Sequence, residues 1–166
     1  MGDSVSNCAF AVVLIRRNIG IVQAMSHVYQ SLSWGYDSGN AFINMVVRTE
    51  TTLSPLQVLS ELHSIESALL KRNHTAAYQD RIIDADILLY ESEVYVDEQL
   101  CIPHPLFHLR QFCLQPLCDI ASDVIHPVLK MSAIDICRHT ELQESISLVM
   151  NSGEFEIIVK DHEHSV

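Results

Sequence analysis

Several features are missing from this chain, and each absence removes a class of protein. No apolar run approaches the ~20 residues of a membrane-spanning helix; the longest, Cys8 to Ile15, has eight. No basic segment precedes that run and no cleavage site follows it, so the expected location is the cytoplasm. The five cysteines (Cys8, Cys101, Cys113, Cys118, Cys137) are odd in number and form no CxxC pair. This argues against a disulfide framework and a zinc knuckle. Positive charge is scarce: ten Lys and Arg against 21 Asp and Glu give a net charge of −11. That balance disfavours nucleic acid or an anionic membrane as partner. There is no repeat and no low-complexity segment.

What remains is enough for one domain with a real core: 166 residues, 48% of them hydrophobic. Asp3 or Ser4 can cap a helix running to about Arg17, although Cys8–Ile15 also has the length and β-branching of a buried strand. Ile19 to Gln30 and Phe42 to Thr51 read as strands, separated by a loop, Ser31 to Asn40, that contains Gly35 and Gly39. Ser54 caps the next helix with Pro55 at its first position. Leu56, Leu59, Leu62, Ile65 and Leu69 recur at spacings of three and four and define its buried face. Lys71 to Asp80 is polar and loop-like. Ile83 to Tyr90 reads as a third strand, followed by a possible hairpin. Arg110 to Ile120 and Ala133 to His139 read as helices. The order suits an α+β sandwich with helices on an antiparallel sheet. Beyond residue 140, Ile146–Met150 and Phe155–Val159 flank Asn151-Ser152-Gly153, a hairpin signal, and Asp161–Val166 is expected to fray.

Chemistry concentrates in Arg81-Ile82-Ile83-Asp84-Ala85-Asp86-Ile87-Leu88-Leu89-Tyr90. Residues two apart in a strand share a face, so Asp84 and Asp86 aim their carboxylates to one side. Converging carboxylates suit Mg²⁺, which takes oxygen ligands and keeps waters and substrate phosphates. The same spacing equally describes the solvent face of a half-buried strand. A second motif, Ile102-Pro103-His104-Pro105 with Arg110 and Phe112 downstream, holds a histidine between two prolines and places an arginine six residues on. Those two cationic donors suit polyphosphate oxygens; a structural Pro-His-Pro turn is the alternative.

Together RxxDxDILLY and IPHPxxxxRxFxLxPL resemble the 6-hydroxymethyl-7,8-dihydropterin pyrophosphokinase family of folate biosynthesis. Tyr29-Gln30-Ser31, Trp34-Gly35-Tyr36 and Phe42-Ile43-Asn44 are similar to its pterin-binding segment, and Pro116–Ala121 with His126-Pro127 to its usual continuation. The resemblance spans roughly residues 2 to 138. It implies a ferredoxin-like α+β fold and a Mg²⁺-dependent diphosphokinase that transfers pyrophosphate from ATP to a reduced pterin and releases AMP. Two Mg²⁺ ions would sit on Asp84 and Asp86. The implied catalytic residues are Arg81, Asp84, Asp86 and Arg110. Glu66, Arg81, Ile87, His104 and Arg110 would bind ATP, and Ser31, Leu32, Trp34, Phe42, Asn44, Tyr78 and Phe112 the pterin. It divides the chain into a pyrophosphokinase-like domain, residues 1–140, and a C-terminal extension, 141–166.

The chain also departs from the family pattern. The family's N-terminal strand, central in its sheet, has no counterpart in this sequence, and Phe155–Val159 is the candidate to fill its place. Leu70-Lys71-Arg72-Asn73 stands where the family carries Gly-Arg-x-Arg. These departures leave a rival reading, an impaired or inactive homologue that binds a nucleotide or a protein.

Overall fold

The computed structural model describes residues 2–32, 41–72, 83–140 and 145–164. The N-terminal apolar run is helical, not a strand: α1 spans Gly2–Asn18. It is buried on two sides. Val5, Ala9, Val12 and Val13 enter one cluster, and Ala11 and Ile15 another. A strand would present only one of its two faces to each neighbour, whereas this helix is wedged between two others.

The two long strands expected next are each divided in two. β1 (Ile21–Met25) pairs antiparallel with β4 (Val47–Glu50), and β2 (Val28–Leu32) with β3 (Ala41–Asn44). The break falls where Ser26 faces Val46. The Ser26 N–H donates to the Val46 carbonyl at 2.9 Å. The buried Ser26 hydroxyl accepts the Val46 N–H at 2.9 Å and donates to the His27 carbonyl at 2.7 Å. A side chain thus replaces one rung of the ladder, satisfying groups that a bend would otherwise orphan. Gly20, just before β1, admits a close approach: a Cβ there would lie 2.1 Å from the Glu50 carbonyl oxygen.

α2 (Pro55–Arg72) forms as expected, but its buried face differs in the first turns. Val58, Leu62, Ile65 and Leu69 pack against α1, whereas Leu56 is exposed and Leu59 only half-buried, because Val58 is the residue that continues the Leu62, Ile65 and Leu69 stripe toward the N-terminus. Residues 83–90 depart from expectation. They carry no strand, because among the described residues no neighbouring strand supplies a ladder, yet exposure still alternates over residues 83–87. Ile83, Ala85 and Ile87 pack on the α1–α2 cluster; Leu88 and Leu89 reach the cluster built on Phe107, Leu114, Leu117, Ala133 and Ile136. A short hairpin follows, β5 (Tyr95–Val96) with β6 (Cys101–Ile102), then a 3-10 turn at Phe107–Leu109, α3 (Gln111–Ala121) and α4 (Ala133–His139).

The tail is half as expected. β7 (Ile146–Met150) is a strand, but it pairs antiparallel with β2, giving the order β3-β2-β7. Phe155–Val159 is neither the second arm of a hairpin nor the filler of a central strand position. It lies within a helix, α5 (Ser152–Glu163). Asn151 and Glu154 form a capping box that satisfies donors at its start. Phe155 and Val159, four apart and both 0% exposed, meet Val5, Ala9, Val12 and Val28. Nor do residues 161–163 fray: they complete α5, where Glu163 and Glu156 both pair with Arg16, at 2.7 and 2.8 Å. The result is an α+β fold. One side of the β2–β3 pair is covered by α1 and α5, and the other is packed by α3.

Candidate active site

Pairing register decides which side chains meet. In β2 and β3, Tyr29 lies opposite Asn44 and Ser31 opposite Phe42. Directly opposed residues share a face, as do residues two apart, so all four point the same way. Val28 and Ile43 point the other way, into the α1–α5 cluster. The shared face is the one that α3 approaches. The Tyr29 hydroxyl bonds the Asp119 carboxylate of α3 at 3.0 and 3.1 Å, and the His27 N–H donates to the same carboxylate at 3.2 Å. Burial, reinforced by that carboxylate, pushes the Tyr29 pKa up and keeps the phenol a donor.

Three of the expected pterin residues, Ser31, Phe42 and Asn44, therefore share one face, and Phe112 stands in the first turn of the helix packed against it. Ser31 is buried, whereas the Phe42 ring is 53% exposed. The Asn44 amide nitrogen donates to Ser31 Oγ at 3.0 Å and to the Phe42 carbonyl at 3.1 Å. Both its hydrogens are used within the protein, which leaves Oδ1 to accept from a ligand. Leu32 closes β2 opposite Ala41. Trp34, Tyr78 and Arg81 lie outside the described residues.

The acidic pair lies on the 83–90 segment, whose inward residues pack on the α1–α2 cluster and on the cluster that α3 helps to build. Asp84 and Asp86 are both exposed, while Ala85 between them is turned to the α1–α2 cluster. Glu66 of α2 accepts the Ala85 N–H on Oε1 at 2.9 Å. That bond does the work of a missing ladder rung and fixes the peptide flanked by the two aspartates. Tyr90 ties the far end down, its hydroxyl donating to the Leu53 carbonyl at 2.7 Å. The Ile87 side chain packs inward.

His104 is brought to this segment directly, its N–H donating to the Leu88 carbonyl at 2.9 Å. It follows a cis Ile102–Pro103 peptide. Its Nδ1 accepts the Leu106 N–H at 3.3 Å, which places the proton of the neutral ring on Nε2 and makes that atom a donor. Arg110 is the N-cap of α3 and exposed, and its guanidinium carbon stands 5.4 Å from the Phe112 ring centre. The cation thus rests on the aromatic ring expected to hold the planar ligand.

Two exposed carboxylates aimed to one side suit an ion that takes few protein ligands and completes its shell with water and phosphate oxygens, as Mg²⁺ does. Among the described residues no group of three or more His, Cys, Asp or Glu is placed to hold a metal.

An α+β protein with a paired-carboxylate segment, a proline-held histidine and an aromatic-amide face is an enzyme-like scaffold for anionic and planar ligands. Comparison with known proteins makes the assignment specific. The family model described as 7,8-dihydro-6-hydroxymethylpterin-pyrophosphokinase matches residues 1–122, and the chain belongs to that family. It is 33% identical over 130 residues to the 2-amino-4-hydroxy-6-hydroxymethyldihydropteridine pyrophosphokinase of Aquifex aeolicus, covering 78% of this chain and 80% of that protein. The Haemophilus influenzae protein of the same name is 40% identical over 102 residues, 61% of this chain and 63% of that protein. The folic acid synthesis protein fol1 of Schizosaccharomyces pombe is 32% identical over 154 residues, 92% of this chain but only 20% of that much longer protein.

Glu66, expected as a nucleotide contact, also holds the Ala85 N–H through one carboxylate oxygen. Sequence reasoning gave no part to His108 and His126, whose rings meet beneath the Phe107–Leu109 turn; their contact joins residues 18 apart and leaves no local pattern.

Proposed function

We propose that this chain transfers pyrophosphate from ATP to the hydroxymethyl group of 6-hydroxymethyl-7,8-dihydropterin, releasing AMP, as a Mg²⁺-dependent cytoplasmic diphosphokinase of folate synthesis. The observation that carries this reading is the exposure of Asp84 and Asp86 on one side of a segment pinned by Glu66 and joined to His104 through Leu88. The names of the relatives support the same reaction.

The acceptor oxygen must attack the β-phosphorus in line with the departing AMP. Little covalent work falls to the protein, so positioning and charge neutralisation dominate. Asp84 and Asp86 would hold the divalent ions, two in number on the family pattern; when bound, these neutralise phosphate charge and orient the triphosphate. His104 donates from Nε2 to a phosphate oxygen. Arg110, with Arg81, stabilises charge on the bridging oxygen as it develops. Ile87 contacts the nucleotide, and Glu66 contributes to the ATP site while one of its oxygens fixes the Ala85 N–H between the two aspartates.

On the other substrate, Asn44 accepts from a ring N–H through Oδ1. Phe112 and Phe42 provide stacking surfaces and Ser31 a polar contact; Leu32, Trp34 and Tyr78 are assigned to the pterin on the family pattern alone. Residues 1–140 form the catalytic unit and 141–166 an extension that completes its sheet and core.

The test is direct. Purified protein with ATP, Mg²⁺ and the hydroxymethyl pterin should yield equal amounts of AMP and pterin diphosphate by chromatography. ADP in place of AMP, or no nucleotide product from folded protein, refutes the assignment.

A further inference from the structure

Beneath the turn that leads to Arg110 lies a polar contact that the reaction does not require. His126, 3% exposed, stacks on Phe107 with ring centres 5.2 Å apart and planes at 17°. The His108 ring meets His126 edge-on at 5.6 Å. His126 Nδ1 accepts the N–H groups of both Val128 and Leu129, at 3.2 Å each. The proton of the neutral His126 ring therefore sits on Nε2, a fixed donor. That Nε2 and His108 Nδ1 are both buried and have no hydrogen-bond partner among the described residues. Burial and the nearby His108 lower the His126 pKa, which favours the neutral ring.

Two unpaired polar atoms on touching rings are costly, whereas apolar rings of the same shape would avoid that cost. With its own proton on Nε2, the His108 ring offers Nδ1 as the complementary acceptor, so a small shift of one ring satisfies both atoms. The ring best able to shift is His108. It belongs to the three-residue turn Phe107–Leu109, which is followed at once by Arg110. His126 is held by its own loop: its N–H donates to the Met131 carbonyl and its carbonyl accepts the Lys130 N–H, both at 2.9 Å.

We propose that His108 and His126 form a latch. The hydrogen bond from His126 Nε2 to His108 Nδ1 closes when a nucleotide triphosphate engages His104 and Arg110, and it holds the 107–110 turn in its phosphate-bound position. Both histidines are positioning residues, since neither touches the substrate. The inference rests on the proposed function for its ligand but is read by binding, not turnover. A ligand shifts a two-state element only by its differential affinity, so the latch must appear in nucleotide affinity.

The experiment uses the full chain, Mg²⁺ and α,β-methylene-ATP in titration calorimetry. His126→Asn keeps an acceptor at the Nδ1 position for Val128 and Leu129 but deletes the Nε2 donor. His108→Ala deletes the acceptor, and His108→Asn restores one at the Nδ1 position. Each of His126→Asn and His108→Ala should weaken the analogue about fivefold, as loss of one net hydrogen bond does. The double variant should be no weaker than either single, His108→Asn should bind like wild type, and pterin affinity should not move.

Wild-type affinity in either single variant, additive losses in the double, or an equal fall in pterin affinity overturns the latch. A wild type that fails to bind the analogue overturns both readings. A wild type that binds it with these variant effects, yet releases no AMP, overturns the proposed reaction alone.

Discussion

Residues 83–90 and 146–159 both read as β-structure in the sequence, and they fold by opposite means. The first keeps strand-like alternation without a strand. Its inward residues, Ile83, Ala85 and Ile87, are held by packing and by one carboxylate on a peptide N–H, and its outward residues are the acids. The second abandons its second strand altogether: a capping box and two fully buried residues four apart convert it to helix, locked over α1. Alternation is imposed by what lies on either side of a segment, but a strand also needs a partner. A helix needs only its own chain and one apolar face. The acidic segment is therefore organised for access and the tail for burial.

The contrast breaks most sharply at the acids. Asp84→Ala or Asp86→Ala should lower AMP release at least ~100-fold while leaving the thermal midpoint nearly unchanged, because exposed side chains carry little stability. A paired loss of activity and midpoint would place them in the structural class instead. Phe155→Ala should do the reverse. Emptying a site that is 0% exposed costs about 3–5 kcal/mol, read from urea unfolding, and activity per folded molecule should persist well below the midpoint.

Asn151→Ala removes the α5 cap and should cost ~1 kcal/mol in the same assay. A null effect would mean that packing alone makes the tail helical.

The smallest expected effect concerns pH. Burial first, and His108 second, hold the folded His126 pKa below its ordinary 6.5. Below about pH 6.5 the unfolded chain takes up a proton that the folded chain refuses, so stability should fall as pH drops from that value toward the folded pKa. His126→Asn should flatten this part of the pH–stability curve, and an unchanged slope in thermal melts would assign the dependence elsewhere.

The parts of the fold set by local chemistry were legible in the sequence. Leu62, Ile65 and Leu69 announced the buried face of α2, and Asp84 and Asp86 announced a shared side, because both patterns are periodic. The α5 signal was also present, in Asn151-x-x-Glu154 and in the four-residue spacing of Phe155 and Val159, but the hairpin-like Asn-Ser-Gly competed with it. The bend at Ser26 and Val46 was not legible, since it depends on a hydroxyl meeting a residue 20 positions away. The Tyr29–Asp119 tether and the His108–His126 contact are likewise products of tertiary packing. Of the candidate site, the grouping of Ser31, Phe42 and Asn44 on one face required the register of β2 and β3, which periodicity does not fix.

The central claim is that Asp84 and Asp86 jointly hold the metal that accompanies the nucleotide. Mn²⁺ titrated with α,β-methylene-ATP and followed by water-proton relaxation tests it without turnover. Wild type should show strong nucleotide-dependent enhancement that is lost in both Asp84→Ala and Asp86→Ala; equal enhancement in either variant would contradict the account.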